Sequence, residues 1–91
     1  MPSDDLPRRI EATAARLEAW CRENKHWVSA DGRVREATAA ELVGMSAGTL
    51  RNRRCALNPV MAFYLAGGRV TYRIEDVATW LEGWRIECHS M

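Results

Sequence analysis

Apolar residues in the first third of the chain recur at the spacing of an amphipathic helix, with arginines and glutamates between them. Pro7 suits the first turn of a helix, because the N–H that proline lacks has no helical acceptor there. We therefore predict a helix over residues 6–24 that packs on its own domain or on a second copy of the chain. Its apolar positions are Ile10, Ala14, Leu17, Trp20 and Cys21.

Residues 26–36 carry a hairpin signal. The Asp-Gly pair at 31–32 separates two short apolar stretches, and this dipeptide is frequent in hairpin turns. Because the stretches are brief, the segment is interpreted either as a small two-stranded ribbon or as an ordered loop. Trp27 and Val34 are expected to be its inward residues.

Residues 38–57 are typical of two helices joined by a tight turn, the helix-turn-helix arrangement. Gly44 falls where the first helix must stop, and glycine adopts the left-handed capping conformation without strain. Ser46 is positioned to accept hydrogen bonds from the free N–H groups of the second helix. Met45 is expected to plug the turn, and Leu50 to face the core.

Polar residues predict the ends and faces of this helix pair. Thr38 and Glu41 fit a capping box at the start of the first helix. The Asn-Pro pair at 58–59 ends the second helix, because the residue before a proline disfavours the helical region. The wider, wetter faces of the second helix are predicted to carry Arg51, Asn52 and Arg54.

A glycine-tipped hairpin comes next. Apolar stretches at 63–65 and 70–72 read as strands, and the Gly-Gly pair at 67–68 reads as the turn between them. Arg69 then lies at the tip and Arg73 at the exit, where an ion pair with a following acid is the alternative to an external contact.

The last predicted helix runs from Glu75 to about Arg85, and residues 86–91 are expected to form a flexible tail. Its apolar residues fall at i, i+3, i+4 and i+7, and both tryptophans among them are predicted to be core. The fold class that follows is α+β and mainly helical, in one compact domain. The apolar stripe consists of Val77, Trp80, Leu81 and Trp84.

The charge of the chain is unevenly distributed. The formal net charge of the 91 residues is +1. Between Arg33 and Arg73, however, seven arginines face two glutamates, while the remainder has six basic and ten acidic residues. A local excess of this kind is what a phosphate backbone would meet. The alternative is a solvated helix face with local ion pairs.

The cysteines and histidines form no recognisable site. Cys21, Cys55 and Cys88 are odd in number and lack a CxxC spacing, so they predict reduced thiols, two of which can fill core positions. His26 and His89 are far apart in the sequence. Because no nucleophile–base pair, phosphate loop or metal-ligand spacing is present, we expect no enzyme activity, no metal and no cofactor.

No apolar run approaches the roughly 20 residues that span a bilayer. The N-terminus is acidic and has no signal-peptide core. A cytoplasmic protein with no membrane partner is therefore expected.

The order of helix, turn, arginine-rich helix, glycine-tipped hairpin and final helix resembles the excisionase and MerR-like group of small winged-helix proteins. That group includes phage excisionases, AlpA-type regulators and the small terminase subunits of some phages. The resemblance covers residues 36–82. One block that carries it is residues 38–46 with Thr49-Leu50-Arg51, and the other is residues 67–77 with Trp80-Leu81.

The resemblance implies a winged helix-turn-helix at residues 37–85, preceded by a helix and a short hairpin or loop at residues 1–36. It implies that the second helix enters the major groove of double-stranded DNA, and that the hairpin acts as a wing on the adjacent backbone or minor groove. The predicted DNA-binding residues are Ser46, Thr49, Arg51, Asn52, Arg53, Arg54, Arg69 and Arg73.

One departure from the group concerns Ala47 and Gly48, which occupy the start of the recognition helix where long polar side chains often read bases. Direct readout there is expected to be poor. Arg51 and Asn52 are the candidates for contacts with guanine and adenine. Phosphate anchoring, wing contacts and DNA shape are then expected to carry much of the recognition.

The predicted function is sequence-specific or shape-selective binding of double-stranded DNA, by a phage or mobile-element excisionase-like factor or a transcriptional regulator. A homodimer or an array along DNA is the expected assembly, with an integrase or another phage protein as a further partner. The alternative is a protein-interaction module of a phage packaging or assembly complex, which would use the tryptophan-rich surface or the N-terminal helix.

Overall fold

Four helices and a three-stranded antiparallel sheet make up residues 5–84, the part of the chain that the computed structural model describes. The fold is a small, mainly helical α+β fold, as predicted. The predicted tail at 86–91 lies outside the described residues. The last helix ends at Gly83, before the predicted end at about Arg85. The elements are α1 (Leu6–Glu23), β1 (Arg33–Arg35), α2 (Glu36–Val43), α3 (Ala47–Cys55), β2 (Tyr64–Ala66), β3 (Arg69–Arg73) and α4 (Ile74–Gly83).

Helix α1 packs along α4, which confirms the prediction that the N-terminal helix rests on its own domain. Glu82 of α4 receives hydrogen bonds from two residues of α1: Arg9 Nε at 3.1 Å and Thr13 Oγ1 at 2.9 Å. Cys21 lies in the last turn of α1 and is fully buried in the core. The amphipathic pattern of α1 thus reflects intramolecular packing.

The sheet has the strand order β1-β3-β2, so the strand before the helix pair joins the hairpin that follows it. Val34 of β1 lies opposite Tyr72 of β3, and an isolated bridge connects Val28 to Val34. Of the two interpretations of residues 26–36, the short ribbon is therefore the one observed. Val34 is fully buried, as expected.

The prediction that Trp27 points inward is wrong, because its side chain is 45% exposed. Neighbouring residues of a strand point to opposite faces of a sheet. The bridge between Val28 and Val34 puts both valines on the inner face, so the preceding tryptophan turns outward with Arg35. The Arg35 guanidinium lies over the Trp27 ring at 5.2 Å.

Helix α4 buries Ile74, Val77 and Ala78, and Trp80 packs partly buried against the core. The prediction that Trp84 is a core residue is wrong, since it is 67% exposed. The helix ends at Gly83, so Trp84 lies beyond its last turn and no longer follows the helical register. Its ring lies 5.8 Å from that of Trp80.

Helices α2 and α3 are joined by a three-residue turn. Gly44 adopts the left-handed conformation (φ 76°) and Met45 donates its N–H to Ala40 O at 2.9 Å, which confirms the predicted stop. Ser46 caps α3 in an extended conformation, also as predicted. Met45 packs partly buried against the core.

The predicted capping box is wrong. Helix α2 begins at Glu36, two residues before Thr38, and Arg35 is its N-cap without a side-chain hydrogen bond. Thr38 is instead buried within α2, with Oγ1 3.4 Å from Nδ1 of His26. The His26 ring stacks on Trp20 of α1 at 5.1 Å, so this histidine packs between α1 and α2.

Candidate nucleic-acid interface

Helix α3 carries most of the predicted DNA-binding residues, and Leu50 sets its rotation. Leu50 is 1% exposed and belongs to the core, so the positions on the other sides of the helix turn toward solvent. Thr49, Arg51 and Asn52 are all exposed. The structure therefore brings these three predicted residues together on the solvent side of one short helix.

The amino end of α3 is closed by Ser46. Its Oγ accepts the N–H of Thr49 at 3.0 Å, and the two hydroxyls lie 2.8 Å apart. This cap satisfies one of the N–H groups that a helix leaves without an internal partner. Both side chains remain exposed, so their oxygens lie at the surface of the turn.

Arg54 does not cover a wetter face of α3, and that prediction is wrong. It lies one helical turn after Leu50, on the inward side, and its side chain is 18% exposed. Its Nε and Nη2 donate to the two carboxylate oxygens of Glu36, each at 3.0 Å. The guanidinium also lies over the Phe63 ring at 5.7 Å.

Glu36 accepts a third hydrogen bond from Tyr72, whose hydroxyl donates to Oε2 at 2.7 Å. The hydrogen bonds from Arg54 lower the pKa of Glu36 from its ordinary value of 4.5, more than burial raises it. Burial and the hydrogen bond to Glu36 raise the pKa of Tyr72 above its ordinary 10.0. At neutral pH the carboxylate is thus ionised, the phenol neutral, and the charge of Arg54 balanced within the fold.

Arg53 closes the carboxyl end of α3. The N–H of Asn58 reaches Arg53 O at 2.9 Å and that of Leu57 reaches Arg54 O at 3.1 Å, which is the Schellman pattern. The Arg53 side chain adds a hydrogen bond from Nε to Asn58 O at 3.2 Å. Helix α3 accordingly ends at Cys55, before the Asn-Pro pair that was expected to stop it.

The hairpin presents Arg69 at its turn. Gly67 and Gly68 have positive φ values of 60° and 81°, which suit a two-residue hairpin turn. Ala66 and Arg69 pair directly across this turn, and Arg69 is exposed. The predicted placement of Arg69 at the hairpin tip is confirmed.

Arg73 lies at the other end of β3, next to an acid. Its Nη2 is 3.6 Å from Glu75 Oε1, which is the intramolecular ion pair weighed as an alternative for this residue. A hydrogen bond with Tyr64, and then the charge of Glu75, raise the pKa of Arg73. Arg69 and Arg73 therefore lie at opposite ends of one strand.

Positive charge dominates this part of the chain. No Asp or Glu occurs from Leu42 to Ile74. Of the residues that the structure describes, no carboxylate forms an ion pair with Arg51, Arg53 or Arg69. The charge of Arg51 contributes to lowering the pKa of Glu36.

Sequence reasoning missed Glu36 and Tyr72, which fix α3 in place. No local pattern connects these residues. Tyr72 is 36 positions from Glu36 in the sequence, and Arg54 is 18 positions from Glu36. It also missed Arg35, whose pairing with Trp27 requires the strand register.

Within residues 5–84, no group of three or more His, Cys, Asp or Glu side chains lies close enough to hold a metal ion. No helix in the same range is both long enough and apolar enough to cross a membrane.

Comparison with models of protein families, with curated proteins and with solved structures found no match to this chain.

Proposed function

We propose that this protein is a winged helix-turn-helix protein that binds double-stranded DNA and performs no chemistry. In this proposal α3 is the recognition helix and the hairpin of β2 and β3 is the wing. Support comes from the three-residue turn between α2 and α3 and from the glycine turn that exposes Arg69.

One observation carries the proposal: Arg51 projects into solvent from α3 without a carboxylate ion pair in the described residues, beside the exposed Thr49 and Asn52. A side chain held by internal pairing would have little left to offer a phosphate, as Arg54 illustrates. Arg51 has no such partner within residues 5–84, and α3 itself contains no acid to compete for it.

Phosphate contacts supply most of the binding energy in this proposal. Ala47 and Gly48 at the start of α3 have no polar side-chain atoms, so bases opposite them are not read directly. The same small residues let the amino end of α3 come close to a phosphate. Arg51 and Asn52 supply the base contacts, and DNA shape supplies further selectivity.

The biological role that fits this proposal is that of a phage or mobile-element regulator or excisionase-like factor, in line with the resemblance of residues 36–82 to that group. Such a protein acts as a homodimer or as an array along DNA, and an integrase or another phage protein is a fitting partner. The proposed role rests on DNA binding, which is therefore tested first.

The test is fluorescence anisotropy with a labelled duplex of about 20 base pairs, titrated at about 50 and 200 mM salt. Wild type is compared with Arg51→Ala, and the matched control is Arg8→Ala, which removes one exposed arginine from α1. We expect Arg51→Ala to weaken binding and to reduce the salt slope by about 1, as loss of one phosphate contact does. Arg8→Ala should leave both unchanged.

Two results would overturn the proposal. One is an absence of duplex binding at the lower salt concentration, which would favour the protein-interaction module instead. The other is an equal loss of affinity in Arg51→Ala and Arg8→Ala, which would mean that only net charge matters. Thermal unfolding of each variant, followed by circular dichroism, ensures that folded proteins are compared.

A further inference from the structure

The face of the sheet turned away from the core carries arginines and aromatic rings. Strand register assigns the faces, because residues directly opposite each other in an antiparallel pair point to the same side. Val34 and Tyr72 define the inner face, on which α2 packs. The alternate positions form what we call the outer sheet face: Trp27, Arg33, Arg35, Tyr64, Arg69, Thr71 and Arg73.

One row of this face runs across all its strands. Arg35 pairs with Thr71, which pairs with Tyr64, and Trp27 extends the row beyond β1 next to Arg35. An aromatic side chain thus stands at each end, with a cation between them. Trp27 is 45% exposed and Tyr64 is 38% exposed, so both rings are accessible, whereas Thr71 between them is only 2% exposed.

Charge on the outer sheet face is strongly positive. Arg33 and Arg73 are directly opposite each other, a like-charge pair that destabilises a sheet. Asp31 offsets the first at 3.1 Å and Glu75 the second at 3.6 Å. Within the described part of the chain, Arg35 and Arg69 have no carboxylate ion pair.

The aromatic rings are held in defined positions. The Arg35 guanidinium covers one side of the Trp27 ring at 5.2 Å, which fixes the indole and leaves its other side for a ligand. Tyr64 interacts with Arg73 and helps to raise the pKa of that arginine.

We propose that the outer sheet face binds a single strand of nucleic acid, with bases stacked on Trp27 and Tyr64 and phosphates against Arg35 and Arg69. A positively charged surface with exposed aromatic side chains is the usual means of binding single strands without sequence preference. Arg69 is shared with the proposed wing, whereas Trp27, Arg35 and Tyr64 are not used in the duplex binding proposed above. Substitutions of the two rings therefore separate the two activities.

The width of the face favours a single strand over a duplex. Its central row crosses four backbone segments, so Trp27 and Tyr64 are about 14 Å apart at a strand spacing of about 4.8 Å. The major groove of a duplex is about 12 Å wide and admits an α-helix or a two-stranded ribbon, so a face of this width does not enter it. Bases inside a duplex cannot stack on these rings, whereas unpaired bases can.

The test is anisotropy with labelled thymidine and uridine oligomers of about 12 nucleotides, which separates DNA from RNA. Tyr64→Leu is compared with Tyr64→Phe, which keeps the ring and loses only the hydroxyl. Loss of one stacked base predicts roughly 5- to 150-fold weaker binding for Tyr64→Leu. Tyr64→Phe should stay within about twofold of wild type if stacking dominates.

A duplex arm keeps the two surfaces distinguishable. Trp27→Leu and Tyr64→Leu should bind duplex DNA as wild type does, while Arg51→Ala should bind the single strand as wild type does. Failure of wild type to bind either oligomer at about 50 mM salt would overturn the inference. It would also be overturned if Tyr64→Leu bound the single strand normally, or if polyglutamate competed as well as the oligomers, which would indicate a generic anion surface.

Discussion

Glu36 and Arg54 form a two-point ion pair that joins the first turn of α2 to the last turn of α3. The side chains are only 17% and 18% exposed, and the Tyr72 hydroxyl ties the same carboxylate to β3. Three elements therefore meet at one carboxylate. Because this contact joins α3 to α2 and β3, it acts with Leu50 to set which side of α3 reaches solvent.

Glu36→Gln should lower the free energy of unfolding by about 1–3 kcal/mol, because charge-assisted hydrogen bonds to a partly buried carboxylate are lost. The amide also places a donor against the donors of Arg54. Urea denaturation measures the change, and Glu23→Gln, at an exposed position of α1, is the control. Equal effects of the two substitutions would mean that the Glu36 contact adds no stability.

The same carboxylate predicts a dependence of stability on pH. Its pKa in the folded protein lies below the ordinary 4.5, so the stabilisation is fully present above pH 4.5. It is lost as pH falls through the folded-state pKa. The difference in unfolding free energy between wild type and Glu36→Gln should therefore be constant from pH 7 to 5 and should shrink below pH 4.5. A difference that grows in acid would contradict this assignment.

The sequence was sufficient where a feature depends on neighbouring residues. The glycine stop at Gly44, the Ser46 cap and the two-glycine hairpin turn are local, because each depends on the conformation or hydrogen bonds of three or four residues. The start and end of α1 were likewise predicted to within one residue.

The errors concern features fixed at long range. Trp27 faces outward because of a register set by the bridge between Val28 and Val34, which no periodicity in so short a segment specifies. Arg54 turns inward because its guanidinium donates to the carboxylate of Glu36, which is 18 positions away in the sequence. Trp84 fits the helical stripe by spacing, but the helix ends before it.

Leu57 offers an unusual route to higher stability. It follows the C-cap of α3 with a φ of 60°, a conformation that costs a non-glycine residue about 1–2 kcal/mol, and it is 91% exposed. Leu57→Gly should raise the unfolding free energy by up to about 1 kcal/mol, since glycine relieves the strain but gains entropy when unfolded.

The control for Leu57→Gly is Ala56→Gly, at the adjacent position with a φ of −85°. There glycine relieves no strain, so the variant should be less stable than wild type. Urea denaturation of both variants measures the contrast. A loss of stability in both would show that the left-handed position is not strained.

The two described thiols should differ in reactivity. Cys55 is exposed, whereas Cys21 is fully buried and burial, followed by the charge of Glu18, raises its pKa. With Cys88 replaced by serine, a thiol reagent should modify one cysteine quickly in the native protein and the other only in urea. Peptide mass spectrometry identifies the sites. Rapid native labelling of Cys21 would contradict its position in the core.

Gly48→Ala separates stability from DNA binding. Gly48 lies inside α3, and an added Cβ would meet only Ser46 Oγ at 3.8 Å, an ordinary contact. Alanine should therefore stabilise the helix by up to about 1 kcal/mol. If the amino end of α3 approaches a phosphate closely, as proposed, the added methyl group should nevertheless weaken duplex binding.

The matched control for this variant is Gly83→Ala, the same substitution in α4, where no atom lies within 4 Å of the added Cβ. Gly83→Ala should leave duplex binding unchanged. It should also raise the free energy of unfolding, by less than Gly48→Ala does, because helix ends fray. Thermal unfolding and duplex anisotropy on the same samples give both quantities. Unchanged affinity in Gly48→Ala would mean that DNA does not approach the start of α3, and the contacts would then have to come from Arg51 and the hairpin alone.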